Sequence, residues 1–450
     1  MAMIADHYVI TPKTIREPPA SFISKFKFLG PGFILSASIV GSGELIATTI
    51  LGARAGFIMF WLIILSCLVK VAIQLQFGRH TIISGETVMQ SFNKLPGFRF
   101  YKSHWSIWAV LFLMLLKVVQ VGGMLGGSAL VMHLLFPAVA VPVWVVSLAV
   151  TVALLVFKNY YNLVEKTSLV MIALFTILTI VSLIAVGFTD YAFTFSDIAS
   201  GLGLRLPREL VFLAIGAFGI TGVGSDEILS YNYWCIEKGY AAYAGPNTGT
   251  PEWQKRAKGW ISVMYLDALV AMVIYTAVTA SFYLLGAAVL HTRTEVPEGY
   301  EVINVLANIY TQTLGENVKI AFLAGAFFVL FSSVFTTVAY WSRLFSDIFG
   351  QVGWIRFFDL AQRRKTIAIL SFVFPAAWAI VFLFIKLPVI MIISGGVVGS
   401  VLLLIIVFAA LCFRYRGSAV IQRSLAFDIF FWLSVLSIAL VAVYGMVQLF

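Results

Sequence analysis

The chain has 450 residues, 61% hydrophobic and only 11% charged, against roughly a quarter charged in soluble proteins, which excludes a water-soluble globular protein. Its formal net charge of +10 comes from Lys and Arg gathered in short segments between apolar stretches, a distribution suited to anionic lipid, and no basic-aromatic nucleic-acid surface accompanies it. Cys67, Cys235 and Cys412 lie within or beside apolar stretches without Cys-x-x-Cys spacing, which points to neither a disulfide framework nor a thiolate metal site.

In chain order, residues 1–27 are polar and basic, with no short apolar core and cleavage site, so no cleaved signal peptide is expected. Apolar stretches long enough to cross a bilayer as helices then recur to the end of the chain. Eleven spans are expected, at roughly 28–54, 57–77, 105–134, 141–157, 165–187, 208–236, 260–290, 317–342, 366–386, 388–412 and 425–448. The Lys and Arg excess on one side sets the N-terminus in the cytoplasm and the C-terminus outside, in a multi-pass protein of the plasma membrane.

The first and sixth spans carry matching segments, VGSGELI at 40–46 and VGSDEIL at 223–229. Five spans separate the copies, and an odd number inverts the second copy in the membrane. The chain then divides into a tail (1–27), two five-span repeats (28–190 and 205–412) and an added span (424–450). Gly41, Gly43, Gly222 and Gly224 lie in mid-span, where each lowers helix propensity by about 1 kcal/mol relative to Ala, so both helices are expected to break there. Ser42 and Ser225 then resemble N-caps, followed by Glu44 and by Asp226 and Glu227 in the first turn. These carboxylates either cap half-helices or bind substrate; ionisable groups at such depth are kept for function by default. Freed carbonyls suit a cation and half-helix N-termini suit a carboxylate, so a metal ion and a zwitterion both remain open.

Further motifs resemble the natural resistance-associated macrophage protein family of proton-coupled divalent metal transporters. They are Gly30-Pro31-Gly32-Phe33, Gly78-Arg79 with Ser84-Gly85-Glu86, Gly127-Ser128-Ala129 with Leu134-Leu135-Phe136, and Arg363-Arg364 with Thr366. The resemblance covers most of the chain and implies an all-α membrane fold, the LeuT-type 5+5 inverted repeat with broken helices 1 and 6. The site motifs depart from the family pattern. Its first-helix Asp-Pro-Gly-Asn falls on Gly41-Ser42-Gly43-Glu44, and its Met-Pro-His on Ile220-Thr221-Gly222. A later His falls on Glu227, the third-helix acidic pair on Val121 and Met124, and the tenth-helix Gln on Gly395 or Gly396. This register pairs Gly41 with Ile220 across the repeat, whereas the internal match pairs it with Gly224; the family register is preferred for the pocket.

The expected substrate site therefore comprises Gly41, Ser42, Glu44, Ile220, Thr221, Gly222, Gly224, Ser225, Asp226, Glu227 and Gly395, with Glu44, Glu227 and Asp226 as metal ligands. Bulk lost at the glycines implies a larger occupant, a hydrated hard cation such as Mg²⁺ or Mn²⁺ or a small organic solute, with transition-metal selectivity weakened by loss of the thioether. Lys117 and Asp267 are expected to form a structural charge pair or part of an ion-coupling relay, Arg343 and Asp347 to pair on a helix surface, and Lys70 to snorkel. Gly122, Gly123, Gly126 and Gly127, and Gly395 with Gly399, are expected at close helix contacts. No cofactor is implied, the protein is expected to act as a monomer, and no His-Glu-x-x-His or Ser-His couple suggests an enzyme.

Overall fold

The computed structural model describes residues 6–41, 43–157, 161–291, 302–315, 318–415 and 424–449. The first span opens with α1 (Pro31–Ile39), whose proline at the first helical position has a suitable fixed φ and no N–H to leave unpaired. After an interruption the chain resumes as a wider-wound segment, Gly43–Thr48, continuous with α2 (Thr49–Ala55). Gly56, at φ +60°, turns it into α3 (Phe60–Ser84). A two-residue hairpin, β1 (Arg99–Phe100) with β2 (Ser103–His104), leads to α4 (Trp105–Leu116) and α5 (Val118–Leu135), which together form the third span. α6 (Val141–Phe157) and α7 (Tyr161–Val186) come next.

The second half repeats the pattern. Its broken span is α8 (Val211–Ile220) and α9 (Ser225–Lys238), succeeded by α10 (Pro251–Leu285), α11 (Val302–Leu314), α12 (Lys319–Val352), α13 (Leu360–Ile385), α14 (Pro388–Tyr415) and α15 (Leu425–Leu449). Eight described helical stretches are long and apolar enough to cross a membrane. One of them, 43–84, runs from the second half of the first expected span through the turn at Gly56 into the second.

Glycines let the inner helices touch. A Cβ at Gly219 of α8 would lie 1.8 Å from the Gly396 carbonyl oxygen of α14, and one at Gly126 of α5 would lie 1.9 Å from the Phe382 ring of α13. Close backbone approach of this kind drives helix association in lipid, where apolar burial gives little advantage.

The tail straps one end of the bundle. Tyr8 donates to Glu237 (2.8 Å), Arg363 donates to Asp6 (2.8 Å), and the Trp260 indole donates to the Arg16 carbonyl (2.9 Å). Burial, then the neighbouring Glu237 charge, pushes the Tyr8 phenol well above its ordinary pKa. The expected Arg343–Asp347 pair does not form. Arg343 instead makes a two-pronged bond to Glu237 (2.5 and 3.1 Å), the stronger geometry, while Asp347 turns inward to accept from Tyr233 (2.8 Å) and Gln351 (3.1 Å).

Candidate functional site

Both expected breaks are present. α1 ends at Ile39 and winding resumes at Gly43; α8 ends at Ile220 and α9 begins at Ser225. Matching the helix ends sets Gly41 against Gly222 or Val223, between the two registers read from the sequence. Ser42 lies outside the described residues. Gly222 stands at φ +64°, the left-handed region that a Cβ disfavours.

Among the helical hydrogen bonds lost at the sixth-helix break, one has its two halves taken up by ionisable side chains. In a continuous helix the Gly222 N–H would reach the Phe218 carbonyl. Here it donates to Glu44 Oε1 (3.0 Å), which also accepts from Thr279 (3.2 Å). The Phe218 carbonyl accepts from Lys70 Nζ (2.6 Å), which also bonds the Thr221 carbonyl (2.5 Å). Ser66 donates to the same two carbonyls (3.2 and 3.0 Å). Lys70 and Glu44 are both 0% exposed. Lys70 therefore does not snorkel: its ammonium sits at the negative end of the α8 dipole and supplies donors that the break removed.

The cavity lies on the other side of the breaks. Its volume is about 30 Å³, room for one or two water-sized occupants. From α9 it receives Asp226, Glu227 and Ser230; from α1 Ser38; from α12 Thr336 and Thr337. α5 and the joint before it contribute Lys117, Gln120, Val121 and Met124. Glu227 accepts from Ser38 (3.1 Å), which ties α9 to α1 across the two breaks. Asp226 accepts from Lys117, from Ser225 (3.2 Å) and from the Trp341 indole (3.4 Å).

Of the expected site residues, Asp226, Glu227 and Ile220 line this cavity, and Ser225 stands behind Asp226. Glu44 does not line it. Thr221 is also turned away, with its hydroxyl 3.1 Å from that of Thr48. The glycines do not enlarge the site. A Cβ at Gly41 would meet Ser333 Oγ at 1.9 Å, one at Gly222 the Cys67 Cα at 3.0 Å, one at Gly224 Glu227 Oε2 at 2.7 Å, and one at Gly395 Gln120 Cβ at 2.1 Å. Neighbouring groups already fill the space that the larger family residues would take. Among the described residues, no three of the His, Cys, Asp and Glu side chains cluster as a ready-made metal cage.

The expected Lys117–Asp267 pair is not formed. Lys117, at the joint of α4 and α5, reaches Asp226 and Ser225 (3.3 Å). Asp267 instead accepts the N–H groups of Gly30 (2.8 Å) and Gly32 (2.5 Å) and the Tyr231 hydroxyl (3.2 Å). The start of α1 presents unpaired N–H groups and a positive dipole end, which satisfy a buried carboxylate without a lysine. Sequence reasoning also missed Ser66 and the role of Lys70. Ser66, Lys70 and Gln74 recur every four residues on α3, a polar stripe through the otherwise apolar stretch 60–75 that marks a buried contact.

The model of the natural resistance-associated macrophage protein-like family matches residues 32–448. The chain belongs to that family. Family membership makes it a multi-pass transporter of metal ions rather than an enzyme. The chain is 28% identical over 358 residues to an uncharacterised protein of Pasteurella multocida, covering 75% of this chain and 73% of that one. It is 24% identical over 317 residues to the divalent metal cation transporter MntH of Mycobacterium leprae, covering 68% and 67%. A crystal structure of the Eremococcus coleocola manganese transporter, in complex with an aromatic bis-isothiourea compound, superposes with a TM-score of 0.69 at 14% identity, covering 97% of this chain and 90% of that one. The fold is thus the LeuT-type arrangement with broken first and sixth helices.

Proposed function

We propose that this family member moves a hard divalent cation, such as Mg²⁺ or Mn²⁺, by alternating access between repeats spanning residues 28–190 and 205–412, with 424–450 as an added span. One observation carries the reading. Asp226 and Glu227, consecutive at the start of α9, both line a cavity otherwise walled by the Lys117 ammonium, hydroxyls, Gln120 and apolar groups. Oxygen donors of this kind suit hard cations, whereas soft ions favour sulfur and imidazole. Met124 is the one sulfur-bearing side chain in that lining and no imidazole joins it. The small volume supports an ion that has exchanged most of its water for protein oxygens, and does not favour an organic solute.

Lys117 shapes the mechanism. Bonded to Asp226, it leaves Glu227 as the lining carboxylate without a cationic partner at hydrogen-bond distance. An arriving divalent ion displaces the ammonium from Asp226 and gains both carboxylates; its departure lets Lys117 return. Asp226 is 16% exposed and Lys117 2%, so an arriving ion reaches the bridge from its carboxylate side. Val121 and Met124 line the cavity where the family resemblance sets an acidic pair, which supports cation movement without proton passage along that face of α5. The basic segments support a cytoplasmic N-terminus in the plasma membrane, and the protein acts as a monomer.

Titration calorimetry of purified protein tests this reading: Mn²⁺ or Mg²⁺ is expected to bind the wild type and not Asp226→Asn/Glu227→Gln. Unchanged binding in that double variant would refute it.

A further inference from the structure

We propose that the Phe218 and Thr221 carbonyls, with Ser66, form a monovalent-cation site that this chain fills permanently with its own Lys70 ammonium. The site is built. Two carbonyls at the C-terminal end of α8 converge on one point, Ser66 Oγ contacts both, and the Phe218 ring lies 4.9 Å from the ammonium. Half-helix C-terminal ends and unwound carbonyls in broken transporter helices are the groups that hold Na⁺ or other cations in the membrane. The break frees the Phe218 carbonyl because its helical partner, the Gly222 N–H, donates to Glu44. A carboxylate on the same break strengthens the field for a cation.

This location lies outside the Asp226–Glu227 cavity: Lys70, Ser66 and Glu44 are absent from its lining. The inference therefore stands apart from the choice of transported ion. Its functional meaning is that a tethered ammonium, which cannot leave, takes the place of an exchangeable ion at the sixth-helix break. The break is then held in every ionic medium, without a free monovalent ion at that point.

Removing the tether exposes the site. In Lys70→Ala the four-carbon stem and ammonium are gone, and a small cation can enter. Thermal unfolding of purified wild type, Lys70→Ala and Lys70→Met is measured in sodium, ammonium, methylammonium and choline chlorides at equal ionic strength. The expected result is a lowered Tm for Lys70→Ala in choline that rises saturably with methylammonium or ammonium. Lys70→Met, whose side chain occupies the space without a charge, stays low in every salt. The wild type gives one Tm in all four. A Lys70→Ala protein indifferent to small cations would overturn the proposal, as would Lys70→Met responding equally. So would a wild type that shifts saturably with methylammonium, which needs no variant to fold.

Discussion

The two sides of the broken helices hold the same kinds of groups in opposite circumstances. On one side Lys117 and Asp226 meet at the edge of a cavity, and Asp226 keeps 16% of its side-chain surface exposed. On the other, Lys70 and Glu44 are fully buried and reach the same break through its backbone, the ammonium on carbonyls and the carboxylate on an N–H. A carboxylate with access to solvent can exchange partners at small expense, whereas a fully buried ammonium held by two carbonyls resists removal. The first pair can therefore work as a ligand site and the second as a fixture, although the sequence reading counts Glu44 among the metal ligands with Asp226 and Glu227.

Glu227→Gln is expected to disturb the cavity side most, weakening divalent-cation binding about 100-fold, or about 2.8 kcal/mol, measured by calorimetry with little change in Tm. Glu44→Ala, on the buried side, is expected to leave that affinity within about twofold, while lowering stability by about 2 kcal/mol through unpaired donors on Gly222 and Thr279; thermal unfolding and calorimetry on the same preparation separate the two. Lys117→Gln removes the competitor from Asp226 and is expected to tighten cation binding by up to about tenfold, with a lower Tm in the absence of cation that added cation restores. Asp267→Asn weakens the cap on α1 and is expected to lower stability by about 1 kcal/mol with cation affinity unchanged. Asp267 variants that alter affinity more than Lys117 variants would restore a direct role for Asp267 at the site.

Much of this architecture is legible in the sequence because lipid imposes it. Spans are apolar stretches, and mid-span glycines with a carboxylate just after them mark the places where a helix stops and restarts. The Gly126 contact with Phe382 likewise arises from small residues on a helix face. Partner choice is not legible. Asp267 reads as a counter-ion for Lys117, yet its partners are backbone N–H groups of Gly30 and Gly32, which every glycine carries and no pattern announces. The same limit applies to Gly41, Gly222 and Gly395. A missing side chain shows that bulk is gone at one position, not that Ser333, Cys67 or Gln120 has moved into its space. Lys70 reads as a snorkelling residue because its acceptors, two carbonyls on another helix, become available only after the fold has broken α8 from α9.

On this account the cation belongs to the Asp226–Glu227 side of the breaks and the protein's own charges to the Glu44–Lys70 side. Calorimetric titration of Mn²⁺ into Glu227→Gln and Glu44→Gln, each beside the wild type, tests that division most directly. Binding lost in Glu227→Gln and retained in Glu44→Gln is the predicted result; binding retained in Glu227→Gln and lost in Glu44→Gln would contradict it.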